Sequence, residues 1–365
     1  MELLTLDSNY QPSELVERYG SLIWTERYFT TGDFQLKTTD VERMIKLLPL
    51  ESCVTIREST VPMVVELHEI KKTITGAPEV TIKGRSFDSV LERRAAVKGL
   101  GDIRVEWVEA RAKESDAAYQ VIRQIIGDVG RPPLSPQLPI NSENDALPMV
   151  DLTLPADYED VPAETKDYEI KPGNLYTVAR ELMTINRRGM KAVRPAPGGN
   201  KIAIEIYNGA DLHDEVVFDA RFDQFEDSTY LLSYAGSTNW GYVFSKTDSQ
   251  TVPKTTSPEP TGLERRVLYL DISSEEGVET EEARRTRGLM ELYKFNNTAR
   301  YDGQISQQIA DKYNLPVTGG YSLGDILRLD GEYGLSTNVR VTEFIRSDDN
   351  TGSKAYPTFE VSAAE

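Results

Sequence analysis

Two histidines and one cysteine set narrow limits on the chemistry open to this 365-residue chain. Histidine is the commonest general base and metal ligand near neutral pH. His68 stands in Val64-Val-Glu-Leu-His-Glu, opposite Met63, Val65 and Leu67, which puts it on the wet face of a strand. His213, in Asp211-Leu-His-Asp, reads as a loop residue. Cys53 begins the apolar run Cys53-Val-Thr-Ile and reads as a small strand residue. A lone cysteine rules out an intrachain disulfide and a multi-cysteine zinc site. Carboxylates are the one catalytic resource in surplus. The adjacent pairs Glu159-Asp160, Glu275-Glu276 and Asp348-Asp349 raise glycoside hydrolysis, but each lies in a polar stretch that reads as solvated surface. Asp211, Asp214 and Glu215 around His213 have the chemistry to hold a hard cation, without the regular spacing of a calcium loop. A phosphate-binding G-x-x-x-x-G-K-S/T and a Gly-x-Ser-x-Gly are both absent. The residues therefore name no catalytic group, no metal ligand and no cofactor.

Charge narrows the class further. Lys and Arg total 41 against 59 Asp and Glu, a net charge of −18. A protein that reads DNA or RNA needs a basic footprint to neutralise phosphates, and this chain has the opposite balance. It suits DNA that slides past a wall, provided the passage is narrow, because a charged wall is felt over only about 8 Å at physiological salt. The first residues, Met1-Glu-Leu-Leu-Thr-Leu-Asp, lack the basic region and apolar stretch of a signal peptide. No run approaches the roughly 18 apolar residues of a membrane span. The expectation is a chain made and folded in a cytoplasm.

The elements that position these residues are mostly short strands. Over 1–100, Leu3 to Asp7, the hairpin Ser21 to Leu36 with its Gly-Asp turn, Cys53 to Arg57, Val61 to Ile70 and Glu79 to Lys83 alternate as strands do. Val41, Met44, Ile45 and Leu48 fall at helical spacing behind Asp40, and Phe87, Val90 and Leu91 behind Ser86. This first unit reads as a small antiparallel barrel plugged by helices. Residues 101–165 read as a connecting segment. It holds a helix with Val121, Ile122, Ile125 and Ile126 on one face, the extended Arg131-Pro-Pro-Leu-Ser-Pro-Gln-Leu-Pro, and nine acids against one lysine from Asn141 to Glu169. Residues 166–250 read as an α/β insertion, with a helix behind Asn174, a strand Ile202, Ile204, Ile206, and two flanking strands around Ala235-Gly-Ser-Thr-Asn. A linker over 251–262 leads to a second barrel-like unit over 263–365, which has a strand at Arg266 to Asp271 and a helix around Glu279 to Lys294. Its last strands follow Leu323-Gly324-Asp325, a tight turn in which Gly accepts positive φ and Asp bonds nearby N–H groups. The fold class is α+β, predominantly antiparallel β, with two barrel-like domains in a pseudo-duplicated arrangement and smaller helix-containing domains. The aromatics crowd two hairpins. Trp24, Tyr28, Tyr234 and Trp240 are the candidates for subunit contacts, since interface cores are rich in aromatic residues.

Three blocks resemble the tail hub, or baseplate hub, proteins of long-tailed bacteriophages, in the minor tail protein version of actinobacterial phages. The first is Ser21-Leu-Ile-Trp-Thr-Glu-Arg-Tyr-Phe-Thr-Thr-Gly-Asp-Phe-Gln-Leu with Gly84-Arg-Ser-Phe-Asp-Ser-Val-Leu-Glu-Arg-Arg. The second is Tyr168-Glu-Ile-Lys-Pro-Gly-Asn-Leu with Ile202 to Tyr207 and Val217-Phe-Asp. The third is Arg265-Arg-Val-Leu-Tyr-Leu-Asp with Tyr321-Ser-Leu-Gly-Asp-Ile-Leu and Arg340-Val-Thr-Glu. The resemblance implies a structural virion protein without enzymatic function: a homotrimer whose paired domains make a pseudo-sixfold ring. That ring would join the sixfold tail tube and distal tail protein to a threefold tip, with the tape measure protein and tip or receptor-binding proteins as partners. DNA would be in contact only in transit, and the place of action would be the virion tail tip, assembled in the host cytoplasm. Two other readings stay open, a carbohydrate-binding or carbohydrate-active adsorption module and the hub of a cellular contractile injection system.

Overall fold

The computed structural model describes residues 1–72, 74, 76–96, 98–101, 104–106, 108–112, 117–126, 147–153, 166–170, 173–185, 187–219, 225–255, 258–275, 277–295, 298–305, 320–330, 336–350 and 352–361. The proline-rich run 131–139, most of the acidic run 141–169, and the pair Glu159-Asp160 lie outside the described residues.

The first hairpin pairs Ser21–Arg27 with Asp33–Thr38, Trp24 opposite Phe34. Alternation puts Leu22 and Trp24 inward from one strand and Phe34, Leu36 and Thr38 inward from the other. Helix Val41–Leu47 closes this core with Met44, and Leu48 follows it inward. Asp40 precedes the helix without a side-chain cap. Ser86 also differs from expectation: Phe87–Arg93 is a 3₁₀ segment, and the Ser86 hydroxyl is occupied elsewhere, accepting from the Gly32 N–H at 2.9 Å. Asn174 does cap its helix, Leu175–Ile185, by accepting from Thr177 N–H at 3.1 Å.

The two units expected as barrels do not close on themselves among the described residues. They share one 13-stranded sheet, whose path runs 225–233, 298–305, 352–361, 336–349, 21–27, 33–38, 79–86, 63–71, 53–56, 3–6, 12–15. The cause is the length of Ser336–Asp349, which spans 14 residues. Its first part pairs with Ile326–Asp330, and its second part, from Glu343 to Asp349, lies antiparallel to Ser21–Arg27. Half-buried charges stitch this seam: Arg346 reaches Glu26 at 3.2 Å, and Arg27 bonds Glu343 at 2.7 Å and also Asp33. A chain terminus has thus become the neighbour of the first hairpin.

Outside it, the described residues form two three-stranded sheets and three two-stranded ones. Val150–Thr153 runs parallel to Ile202–Tyr207, which runs antiparallel to Gly189–Val193. Helices Ala117–Ile126 and Leu175–Ile185 share a core with this sheet through Val121, Ile122, Ala179, Leu182, Ile202 and Ile204. The second small sheet orders Ser249–Pro253, Trp240–Phe244 and Val267–Asp271, so pairing continues across the sequence boundary at 250–262. It packs Val243 and Val252 on Leu289 and Leu292 of helix Glu281–Leu292, which Thr280 caps. Arg285 of that helix pairs with Glu282, three residues back.

Candidate functional site

The two sheets and the helical core meet at Tyr28, the residue after strand Ser21–Arg27, and its side chain is fully buried. Its N–H donates to Thr342 O at 2.9 Å, from the last long strand. Its hydroxyl points the other way, with Arg187 O at 3.0 Å and Tyr207 O at 3.2 Å as acceptors around the α/β insertion. Arg180 of helix Leu175–Ile185 donates to Tyr28 O, and the Arg340 guanidinium lies 5.4 Å over the ring while donating to Gly324 O at 2.7 Å. Two glycines form the socket walls. A Cβ at Gly189 or at Gly324 would lie 2.3 Å from the Tyr28 ring, closer than any real carbon contact. Gly324 also holds φ at +95°, in the left-handed region that other residues enter at a cost. One tyrosine therefore ties together three stretches of chain that are distant in sequence.

A cleft of about 650 Å³ opens beside this socket, with Glu26, Asp88, Lys191, Tyr207, Asp325 and Arg346 among its walls. Two of its carboxyls, Asp88 and Asp325, are buried. Burial pushes Asp88 up to about 6, against the opposing pull of the Ser86 hydroxyl and the Arg180 guanidinium. Asp325 is raised by burial too, although Ser322 N–H at 2.6 Å and Ala210 N–H at 2.7 Å both donate to its carboxylate. Glu360, beyond the socket, is raised by burial, and Arg180 is lowered by it. Asp325 and Arg180 hold the chain's own backbone in place. The Ser86 hydroxyl beside Asp88 is engaged by the fold, accepting from the Gly32 N–H.

Each residue singled out from sequence now has a place. Asp325 and Gly324 do form the tight turn, but the turn serves the socket as well as the strand that follows. Leu323 is partly buried against the terminal core. Of the four aromatics assigned to subunit contacts, three lie inside the subunit: Trp24 and Tyr28 are fully buried and Trp240 is 6% exposed. That assignment is corrected for them, because Trp24 stacks on Phe34 in the first core and the Arg265 guanidinium covers Trp240 at 3.9 Å. Tyr234 stays half exposed beneath Arg266. Cys53 is buried and its thiol is pushed up to about 12 by burial. His68 bonds Leu48 O at 2.7 Å. His213 is exposed between two carboxylates, Nδ1 at 2.6 Å from Asp211 and Nε2 at 3.4 Å from Asp214, and the Asp211 bond raises its pKa. With both ring nitrogens facing acids, the protonated ring is favoured over the free imidazole. No group of three or more metal-ligating side chains occurs among the described residues.

Sequence reasoning placed Tyr242 and Phe244 in an aromatic hairpin but missed the surface they share with Val267 and Tyr269. The outer face of the sheet Trp240–Phe244 and Val267–Asp271 leaves Tyr242, Phe244, Val267 and Tyr269 open, with Tyr269 at 65% exposure. Phe244 and Tyr269 touch, ring centroids 5.0 Å apart. The alternation of Val267 and Tyr269 with Leu268 and Leu270 carried the signal, since both sets are apolar and only one can face the helix.

The profile of the Siphovirus ReqiPepy6 Gp37-like protein family matches residues 2–359. No curated protein matches the sequence. Among solved structures, the fold is similar to the 43 kDa tail protein of prophage MuSo2 from Shewanella oneidensis, at 12% identity and a TM-score of 0.58, covering 99% of this chain and 98% of that one. It is also similar to the tail protein from Neisseria meningitidis MC58, at 11% identity and a TM-score of 0.56, covering 98% and 95%. The prophage tail protein gp18 from Listeria monocytogenes EGD-e matches at 11% identity and a TM-score of 0.52, covering 100% and 95%.

Proposed function

This chain belongs to the Siphovirus ReqiPepy6 Gp37-like protein family, a family of siphovirus tail proteins, and from that premise we propose that it is the structural hub of the tail tip. The observation that carries the reading is the family match from end to end of the chain, on a fold shared with phage tail proteins. Three copies form a closed ring between the tail tube with its distal tail protein and the tip proteins. The tape measure protein ends at the ring, and genomic DNA crosses it on ejection. The shared sheet supports a load-bearing role, since it and the Tyr28 socket make one body of the N-terminal and C-terminal strands. The excess of acids supports a lumen from which DNA is repelled, with −18 charges per chain and three chains per ring. The role is structural, and the place of action is the assembled virion.

Native mass spectrometry and light scattering on the purified chain, with negative-stain images, test this. The expected result is a trimeric ring with a central hole. A chain that stays monomeric at micromolar concentration, alone and with the purified tube and distal tail proteins, overturns it. One observation favours a second reading, adsorption to host glycans: the open rings of Tyr242, Phe244 and Tyr269 form a platform of the kind on which sugar C–H groups stack. Retention on host cell-wall glycan that is lost with Tyr269→Ser would move that reading to the front.

A further inference from the structure

A cleft of about 380 Å³ separates the first strands from the 3₁₀ segment Phe87–Arg93. Its floor is apolar, built from Leu6, Cys53, Val64, Phe87, Val90 and Met149. Tyr10 stands edge-on to Phe87 at 5.9 Å and forms one wall. The mouth is polar; Glu51 is paired with Arg93, and Asp7 leaves the rim negative. Two mouth residues hold left-handed backbone, Tyr10 at φ 58° and Glu51 at φ 68°. Backbone hydrogen bonds from their N–H groups to Asp7 O and Val65 O hold them there. The cleft carries apolar surface to water.

The strand Met63–Lys71 leads from this cleft to a hairpin tip of opposite character. Ile74 there is completely exposed, and Ile70 is 54% exposed. Residues 70–78 include Lys71 and Lys72 and no acid, in a chain whose net charge is −18. Lys71 has Glu69 at 3.2 Å, an exposed pair worth little. Val64 lines the cleft, and an extended strand of this length puts Lys71 roughly 23 Å from it, so the tip does not fold back into its own cleft. A knob and a socket at separate places on one chain make a head-to-tail contact, the kind that closes into rings.

We propose that the Ile74 tip of one subunit inserts into the cleft over Cys53 of the next copy of this chain, its lysines facing Asp7 and Glu51. The contact rests on the trimeric ring proposed above and assigns two surfaces to it. Cys53 is a poor reporter because burial raises its thiol, so the test pairs Ile74→Cys with Ser8→Cys, exposed at the mouth, in a Cys53→Ser background. Diamide accepts the two electrons and two protons released as each S–S bond forms. The expected result is a covalent trimer on a non-reducing gel, lost on adding Lys71→Glu and Lys72→Glu, while Ser8→Cys paired with Leu263→Cys stays unlinked. A sample trimeric by light scattering but unlinked on the gel overturns this contact and leaves the hub reading standing. A sample unlinked on the gel and monomeric by scattering, alone and with the purified tube and distal tail proteins, overturns both.

Discussion

Strand Ser21–Arg27 buries Trp24 and hands Tyr28 to a closed socket, whereas strand Trp240–Phe244 buries Trp240 under one arginine and leaves Tyr242 and Phe244 more than a third exposed. The hairpins they belong to are alike in aromatic content, with Trp24, Tyr28, Phe29 and Phe34 in one and Trp240, Tyr242 and Phe244 in the other. The difference lies in how many bodies pack against each. Around Tyr28 the long strand Ser336–Asp349, the helix Leu175–Ile185, the strand that begins at Gly189 and the turn at Gly324 all converge. Around Trp240 a single helix covers one face of a three-stranded sheet. Aromatic residues in a hairpin thus mark a place where something packs. Whether the partner comes from the same chain depends on the rest of the fold.

The sharpest way to break this comparison is Gly324→Val. A β-branched residue at φ +95° whose Cβ meets the Tyr28 ring is expected to lose about 3 kcal/mol or more of unfolding free energy in urea titration, from backbone strain and overpacking together. Unchanged unfolding would show that the socket is not closed.

A smaller, pH-dependent effect belongs to Asp88. Its carboxyl titrates at about 6 in the folded chain against an ordinary 3.8, so the native state holds the proton more tightly than the unfolded one. Its contribution to stability is complete below about pH 4 and is lost as pH rises towards 6, on the order of 2 kcal/mol. Asp88→Asn keeps the shape without the titration. Urea midpoints measured across this window are expected to fall for the native sequence and to flatten for the variant; parallel curves would mean the carboxyl is solvated.

The smallest effect is expected on the open face. Tyr269→Ser removes a ring that is mostly in water, and thermal unfolding of the isolated chain is expected to move by no more than about 0.5 kcal/mol. A large loss would show that this face is covered within the subunit, as Tyr28 is.

Much of the local structure was legible. The alternation in Ser21–Arg27, Asp33–Thr38 and Ile202–Tyr207 predicts strands with the inward residues observed. The helices after Asp40 and Asn174 follow from apolar residues at spacings of three and four. The turn at Asp325 follows from its residue types, with Asp bonding the N–H three residues before it. The socket was not legible, because nothing near Gly189 or Gly324 in sequence names Tyr28 as the ring they must clear. The buried state of Asp88 was hidden likewise, since its desolvation comes from elements distant in sequence.

What the sequence determined by itself is the class of the fold, the acidic charge, the poverty of catalytic groups, and the strands and turns that period and residue type dictate over a few residues. What only the tertiary structure decided is which strands join. A 14-residue strand near the C-terminus extends past its own unit and pairs with the first hairpin, so that two expected barrels become one sheet. Hydrogen-bond pairing between strands is indifferent to sequence separation, and Cβ clearance is set by whatever side chain arrives from elsewhere. Neither leaves a local periodicity to read.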